Sequence, residues 1–411
     1  MSRPPDHPPE EQPGSDARRV RAVSAATGRP VLATLLPALR AALNGSGGPV
    51  LPHAPGRPPA AALAPGEPLG PGEDDEHDPT VAVVATSGSS GPPKGVLLPA
   101  SALLASASAT HDRLGGPGRW LLALPAHHVA GIQVLVRSLV TGTEPGVMDL
   151  SRGFTPAAFA VAARRLRGHR RYTAVVPTQL VRLLDGGSDG GDGLRELARF
   201  DGVLVGGAGT PASVLEQARA AGVRVVTTYG ASETCGGCVY DGIPLDGVLV
   251  RVEADRRVLL GGPTLARGYR GGDPDGAFTR DRAGVRWWRT ADAGRWSGGR
   301  LHVLGRLDDA VLSGGVTVVP ATVEAALLQL PEVAEALVAG VPDPQWGQRV
   351  VAAVVPAPGA AAPDLAAVRA HVGAVVGPHA APRQLLVLDA LPLIGVGKPD
   401  RAAVARQAAA G

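Results

Sequence analysis

Short, unbroken apolar runs dominate the first two thirds of this chain, where long amphipathic stripes are scarce. The clearest is Val81-Ala-Val-Val-Ala85. It is too short for a helix and too continuous for a half-exposed strand, so it predicts a strand buried on both faces. A loop rich in glycine and serine follows, and then a helix is expected over 101–112. The texture repeats downstream. Thr155-Pro156 are an N-cap and first-turn proline for a helix reaching Gly168. Residues 172–176 and 203–205 read as strands, Thr210-Pro211 opens another helix before Gly222, and 223–228 is the next strand. Strand–helix alternation of this kind predicts an α/β fold with largely parallel sheets.

From about residue 248 the runs shorten and glycines separate them, as in VLLGG, GYRGG and RWSGGRLHVLGR. A small β-rich subdomain is expected there. After Asp308-Asp309 the alternation resumes, with helices over 320–330 and 365–375 and strands over 336–340, 350–355 and 385–388. That is a compact α+β unit. Residues 1–22 are charged, proline-rich and poor in apolar positions, which predicts a disordered tail. The expected organisation is therefore a tail over 1–22, an N-terminal domain over 23–308 and a C-terminal domain over 309–411.

Composition sharpens this picture. Of 411 residues 45% are hydrophobic but only 3% aromatic, so valine, leucine and alanine must fill the interior. The 56 glycines and 39 prolines point to a loop-rich globular protein. The net charge of +3 is small, and the arginines are scattered with few aromatics between them, which argues against nucleic acid and for small anionic ligands. No signal peptide opens the chain and no apolar run reaches a membrane span, so a cytoplasmic protein is expected. Homo-oligomer formation is left open. Cys235 and Cys238 cannot form a disulfide framework, and no second pair completes a structural zinc site. They read as two small residues in a tight loop.

The strongest chemical signal is the loop Thr86-Ser-Gly-Ser-Ser-Gly-Pro-Pro-Lys94-Gly, with three glycines and four hydroxyls in ten residues after a buried strand. Glycines let backbone N–H groups approach a phosphate, hydroxyls donate to its oxygens, and a lysine supplies charge. The spacing is not that of a Walker A loop. It resembles the phosphate loop of the adenylate-forming superfamily of acyl-CoA synthetases, adenylation domains and luciferases. Four later motifs agree in order: Tyr229-Gly-Ala-Ser-Glu233, Gly262-Pro-Thr-Leu-Ala-Arg-Gly-Tyr269, Thr290-Ala-Asp292 with Gly305-Arg306-Leu-Asp308, and Gly397-Lys398-Pro-Asp-Arg401. Ala291 departs from that family's usual glycine. Only about 85 residues precede the loop, about half the family's usual length, so a reduced N-terminal subdomain is expected.

The resemblance implies ATP, Mg²⁺ and coenzyme A as ligands, with a small-molecule carboxylic acid as the group activated. It implies an adenylate-forming fold: a large N-terminal domain of parallel-type sheets with a small β subdomain, and a small mobile α+β C-terminal domain. Thr86, Ser87, Gly88, Ser89, Ser90, Gly91 and Lys94 would hold the β- and γ-phosphates. Glu233 would ligate Mg²⁺. Gly207 and Ala208 would line the adenine slot beside Tyr229, with Thr228, Gly230 and Ser232 completing the ATP site. Asp292 would bind the ribose hydroxyls, assisted by Arg306. Lys398 would bridge the attacking carboxylate and the α-phosphate, and Asp308 would be the hinge between the two half-reactions.

Three segments resemble the o-succinylbenzoate–CoA ligase group of menaquinone biosynthesis: Leu124-Pro-Ala-His-His-Val-Ala-Gly131 running on to Arg137, Val176-Pro-Thr-Gln-Leu180, and Tyr229-Gly-Ala-Ser-Glu-Thr-Cys235. Ser313, Gly314 and Gly315 resemble its loop beyond the hinge and are expected near CoA. His128, Arg137, Thr178 and Gly207 are the expected acid-binding residues. The acid of that group carries a second carboxylate that is not activated, and a guanidinium at Arg137 can hold it bidentately. A surface helix arginine is the other reading of Arg137, and a structural histidine the other reading of His128. Beside this ligase, another acyl- or aryl-CoA ligase, a stand-alone adenylation enzyme and a non-catalytic nucleotide-binding homologue stand as alternatives.

Overall fold

The computed structural model describes residues 18–86, 93–186, 191–273, 276–394 and 398–410. Its contacts divide into two units, one of Met1–Leu249 with Gly261–Trp288, the other of Val250–Leu260 with Arg289–Gly411.

The first unit opens with strand β1 (Arg21–Ser24), helices α1 (Pro30–Ala33) and α2 (Leu35–Leu43), and strands β2 (Val50–His53), β3 (Thr80–Thr86) and β4 (Lys94–Pro99). These strands form one sheet in that order, with Gly268–Tyr269 added beside β4. Val81 to Val84 of β3 are buried, as an unbroken apolar run requires. The apolar pattern does not predict strand β4: β3 and β4, on either side of the glycine-rich segment, are an antiparallel pair with Thr86 opposite Lys94. Arg21 and Ala22, assigned to the tail by composition, pair in β1 with Val50 and Leu51. The preceding Val20 is buried in a core with Leu51, Leu63, Val83 and Leu97. A single valine among arginines carries no periodicity, so this anchor is invisible in the pattern.

The chain then alternates through α3 (Ala100–Arg113), β5 (Arg119–Leu122), α4 (Val129–Val140), β6 (Gly146–Val147), α5 (Pro156–Arg165), β7 (Arg171–Val175), α6 (Pro177–Leu184), α7 (Asp192–Leu197), β8 (Gly202–Val205), α8 (Ala212–Ala220), β9 (Val225–Ala231), β10 (Gly236–Tyr240) and β11 (Ile243–Pro244). The sheet order is β11-β10-β9-β8-β7-β5-β6. Strands β9, β8, β7, β5 and β6 run parallel, whereas β10 returns antiparallel to β9. Thr155 caps α5 by accepting from the Ala158 N–H at 3.2 Å, with Pro156 at the first turn. The helix stops at Arg165, short of Gly168.

In the second unit, which takes the strand Arg286–Ser297 from Arg289 onward, this strand forms a hairpin with Arg300–Arg306, from Asp292 opposite Arg306 to Ser297 opposite Arg300. The Arg300–Arg306 strand packs on helix Pro320–Leu327. Residues 289–308 thus group with the C-terminal residues, although glycine-punctuated composition joined them to the N-terminal side. The long antiparallel pair Val333–Asp343 and Gly347–Pro356 carries the core of this unit, flanked by Val311–Ser313 and Gln384–Val387. Val323, Leu327, Val338, Val354, Val368 and Val372 fill its interior. No helix among the described residues is long and apolar enough to cross a membrane.

Candidate active site

Parallel pairing brings the carboxyl ends of β5, β7, β8 and β9 side by side, with Val175 opposite Val205 and Val205 opposite Thr227. The residues just beyond them form one row: Ala126 to His128 after β5, Val176 to Thr178 after β7, Gly207 and Ala208 after β8, and Thr228 to Gly230 closing β9. Open parallel sheets bind ligands at this edge. Gly207, at φ +86°, and Ala208 are exposed in the row, as is Thr178 in the first turn of α6. Beside Thr178, Gln179 is buried and structural. Its Nε2 donates to Ala123 O at 3.0 Å and its Oε1 accepts from Val176 N–H at 3.0 Å, tying the ends of β5 and β7 together.

Strand β9 leads through a single 3-10 turn, Ser232–Thr234, back into β10. The Thr234 hydroxyl accepts from Ala231 N–H at 2.9 Å and donates to Gly236 O at 2.7 Å, which holds the turn. Gly230 is required here: a Cβ on it would lie 2.2 Å from Gly236 O. Glu233 is carried at the turn, 8% exposed. Its backbone carbonyl accepts from Ala266 N–H at 2.8 Å, and its Oε1 accepts from the Tyr269 hydroxyl at 2.9 Å. Burial, and after it the charge of Glu233, push the Tyr269 phenol up, so it stays protonated and donates. Lys94, at the start of β4, stands 5.3 Å from the centroid of the Tyr269 ring. The structure therefore gathers residues from three separated motifs around one carboxylate. The motif spacing alone does not mark Tyr269 as a site residue; its place beside Glu233 depends on Gly268–Tyr269 pairing with β4. Ser87, Gly88, Ser89, Ser90 and Gly91 lie outside the described residues; Thr86 does not, and its hydroxyl donates to Lys94 O at 3.3 Å.

Helix α4 follows the Pro125-Ala-His-His segment. Its Arg137 is 3% exposed, which rules out the surface reading. Arg137 Nη2 donates to Thr110 Oγ1 at 3.2 Å and to the Tyr240 hydroxyl at 3.4 Å, and the guanidinium lies 4.8 Å from the Trp120 ring centroid. All of these groups are neutral, and Arg137 Nε has no partner among the described residues. Burial lowers the guanidinium's affinity for its proton. A buried cation held only by neutral groups is costly unless an anion reaches it. At the start of α4, His128 is exposed as the N-cap residue, with its ring 4.3 Å from that of His127. Burial first, and then the charges of His128 and His53, lower His127 to about 4.

Cys235 and Cys238 are both fully buried, and burial raises both thiols, Cys238 to about 12. They are unreactive packing residues in the structure.

Within the second unit, Asp292 lies on the Arg286–Ser297 strand opposite Arg306, whose Nη1 is 3.7 Å from Asp292 Oδ1. Arg306 also bonds Asp308 at 2.6 Å. Ala291 replaces a glycine without disturbing this strand, since its carbonyl accepts from Leu307 N–H at 2.7 Å. Ser313 is buried, and Gly314 and Gly315 form the turn of a hairpin, with Gly314 N–H donating to Trp346 O at 2.9 Å. Lys398 sits in a two-stranded pair opposite Ile394, and its side chain lies outside the described residues. Gly397 of the same motif is outside them as well.

The sequence matches the AMP-binding enzyme family over residues 19–269 and the AMP-binding enzyme C-terminal domain over 322–398. The chain belongs to the AMP-binding enzyme family. It is accordingly an AMP-forming acid–thiol ligase by family. This AMP-binding enzyme is 47% identical over 380 residues to a probable 2-succinylbenzoate–CoA ligase of Mycobacterium tuberculosis H37Rv, covering 91% of this chain and 95% of that protein. Its fold superposes on wild-type E. coli MenE with a bound m phenylether-linked analogue of OSB-AMS at 25% identity and a TM-score of 0.72, covering 97% of this chain and 90% of that one. It also resembles the o-succinylbenzoate coenzyme A synthetase of Bacillus subtilis solved in complex with ATP and magnesium ion, at 28% identity and a TM-score of 0.64, covering 79% and 70%.

Proposed function

We propose that this AMP-binding enzyme is a 2-succinylbenzoate–CoA ligase. A carboxylate oxygen of the acid attacks the α-phosphorus of ATP, the P–O bond to diphosphate breaks, and an acyl-adenylate remains. The thiolate of coenzyme A then attacks the acyl carbon, and AMP leaves with the C–O bonding electrons. The observation that carries the acid assignment is Arg137. A guanidinium 3% exposed, without a carboxylate partner among the described residues, suits an acid that brings a second carboxylate into the protein.

The remaining roles are those that the resemblance to the adenylate-forming family implies, and the chemistry of the groups suits them. Thr86 and Lys94 bracket the phosphate loop and take the β- and γ-phosphates. Tyr229, with Gly207 and Ala208, takes the adenine; Thr228, Gly230 and Ser232 shape the same edge. Asp292 offers two acceptor oxygens to the ribose, with Arg306 beside it. Mg²⁺ neutralises phosphate charge when bound, and Glu233 is a hard oxygen donor suited to it. Lys398 serves adenylation only, Ser313 to Gly315 serve CoA, and Asp308 is the pivot between the two half-reactions.

A panel of mono- and dicarboxylic acids, assayed for diphosphate release with and without CoA, tests this reading. CoA-dependent turnover selective for 2-succinylbenzoate is expected. Preference for a monocarboxylic acid would remove the role of Arg137 and leave another acyl-CoA ligase in its place.

A further inference from the structure

Gln133 is 1% exposed, and neither Nε2 nor Oε1 of its side chain has a hydrogen-bond partner among the described residues. An amide buried in this state loses its hydration without compensation, a cost that an apolar residue of similar size would avoid. The residue therefore calls for a ligand that supplies the missing bond.

Its position says which part of a ligand. Val129, Gln133 and Arg137 are four residues apart along α4 and share one stripe of the helix. That stripe faces β10. A Cβ on Gly236 would stand 3.5 Å from Gln133 Cγ and 4.0 Å from Val129 Cγ2, while Arg137 bonds Tyr240, at the other end of the strand. Strand β10 lies along β9, with Gly236 opposite Ala231 and Tyr240 opposite Thr228. Gln133 thus sits at the Glu233 end of the pair, and Arg137 sits one helical turn, about 6 Å, further away. Along this stripe an apolar side chain is followed by an amide and then by a guanidinium.

We propose that Gln133 is a specificity-determining residue that binds a carbonyl oxygen in the acyl chain, between the carboxylate that is activated and the carboxylate held by Arg137. Its Nε2 donates to that oxygen. This rests on the 2-succinylbenzoate reading, and the order of groups agrees with it. In that acid the ketone lies between the aliphatic carboxylate and the ring carboxylate.

The test compares wild-type enzyme with Gln133→Leu on 2-succinylbenzoate and on the analogue whose ketone is a methylene, following diphosphate release and thermal unfolding of the ligand-free protein. Gln133→Leu is expected to lower kcat/KM for the keto acid on the order of 10-fold or more. It should leave the methylene analogue and the KM for ATP unchanged, and should unfold no earlier than wild type. Equal activity of both proteins on the keto acid would overturn the proposal, and so would an equal loss on both acids, which marks a packing role. Wild-type enzyme that ignores 2-succinylbenzoate but turns over another acid would overturn the substrate reading itself, an outcome separable from the other two. Should Gln133→Leu not fold, Gln133→Met keeps the length of the side chain and carries the same comparison.

Discussion

The phenol of Tyr269 donates a 2.9 Å hydrogen bond to Oε1 of Glu233, joining two motifs 36 residues apart. Tyr269 is buried, its ring stands beside the Lys94 ammonium, and its strand is paired to β4 immediately beyond the phosphate loop. One side chain therefore orients the carboxylate suited to the metal and borders the lysine suited to the phosphates. It acts through them, as a positioning residue.

Tyr269→Phe keeps the ring and removes only the donor. A lost hydrogen bond to a charged group is worth about 1.5–3 kcal/mol. The Mg²⁺ concentration giving half-maximal diphosphate exchange is expected to rise roughly 10-fold or more, while the KM for the acid stays at its wild-type value. A magnesium titration of the exchange reaction reads this directly. An unchanged titration would show that Glu233 is oriented without the phenol.

Arg137→Ala should raise the KM for 2-succinylbenzoate by a factor on the order of 100 and leave the KM for ATP within about twofold, because the lost contact is charge-assisted and remote from the nucleotide. The variant leaves a space beside Trp120, so folding is checked by circular dichroism. Arg137→Met, which keeps most of the apolar stem, should show the same kinetic split. Parallel rises in both constants would mean that Arg137 supports the fold of the site and does not meet the acid.

Lys398→Ala should abolish adenylate formation and largely spare transfer of a supplied acyl-adenylate to CoA. The α-phosphate carries attacking charge only in the first half-reaction, so a lysine acting there has no task in the second. Single-turnover measurement of each half-reaction distinguishes them; equal loss in both would remove this assignment.

His111 makes folding sensitive to acid. It is buried, it accepts a hydrogen bond from Trp120 Nε1 at 3.1 Å, and burial, with the charge of Arg137 next, lowers it to about 4. Between pH 6.5 and 4 the unfolded chain takes up a proton that the folded chain refuses. Stability from this group is therefore full above the ordinary histidine range and is lost as pH falls toward 4, to a limit of about 3 kcal/mol. Urea unfolding at several pH values should show this slope. His111→Gln, which keeps an acceptor but no titrating site, should reduce the slope and leave the share of His127, which is lowered into the same range.

The order of the chemical motifs, the α/β alternation and the caps of the helices were legible because each is written in a few adjacent residues. Val81 to Val84 have to be buried wherever they go, and Thr155-Pro156 can begin a helix but not continue one. Burial of a polar side chain is not written that way. In α4 the stretch Val134-Leu-Val-Arg137 looks like any helix ending in a surface arginine. It becomes an enclosed cation only because α3, β5 and β10 bring Thr110, Trp120 and Tyr240 around it. The same holds for Gln133, which local spacing cannot distinguish from a solvated glutamine, and for Tyr269, which reaches Glu233 through strand pairing alone. Local sequence determines what a segment can form; only the packing of distant segments determines which polar groups lose water, and those are the groups left to bind a ligand.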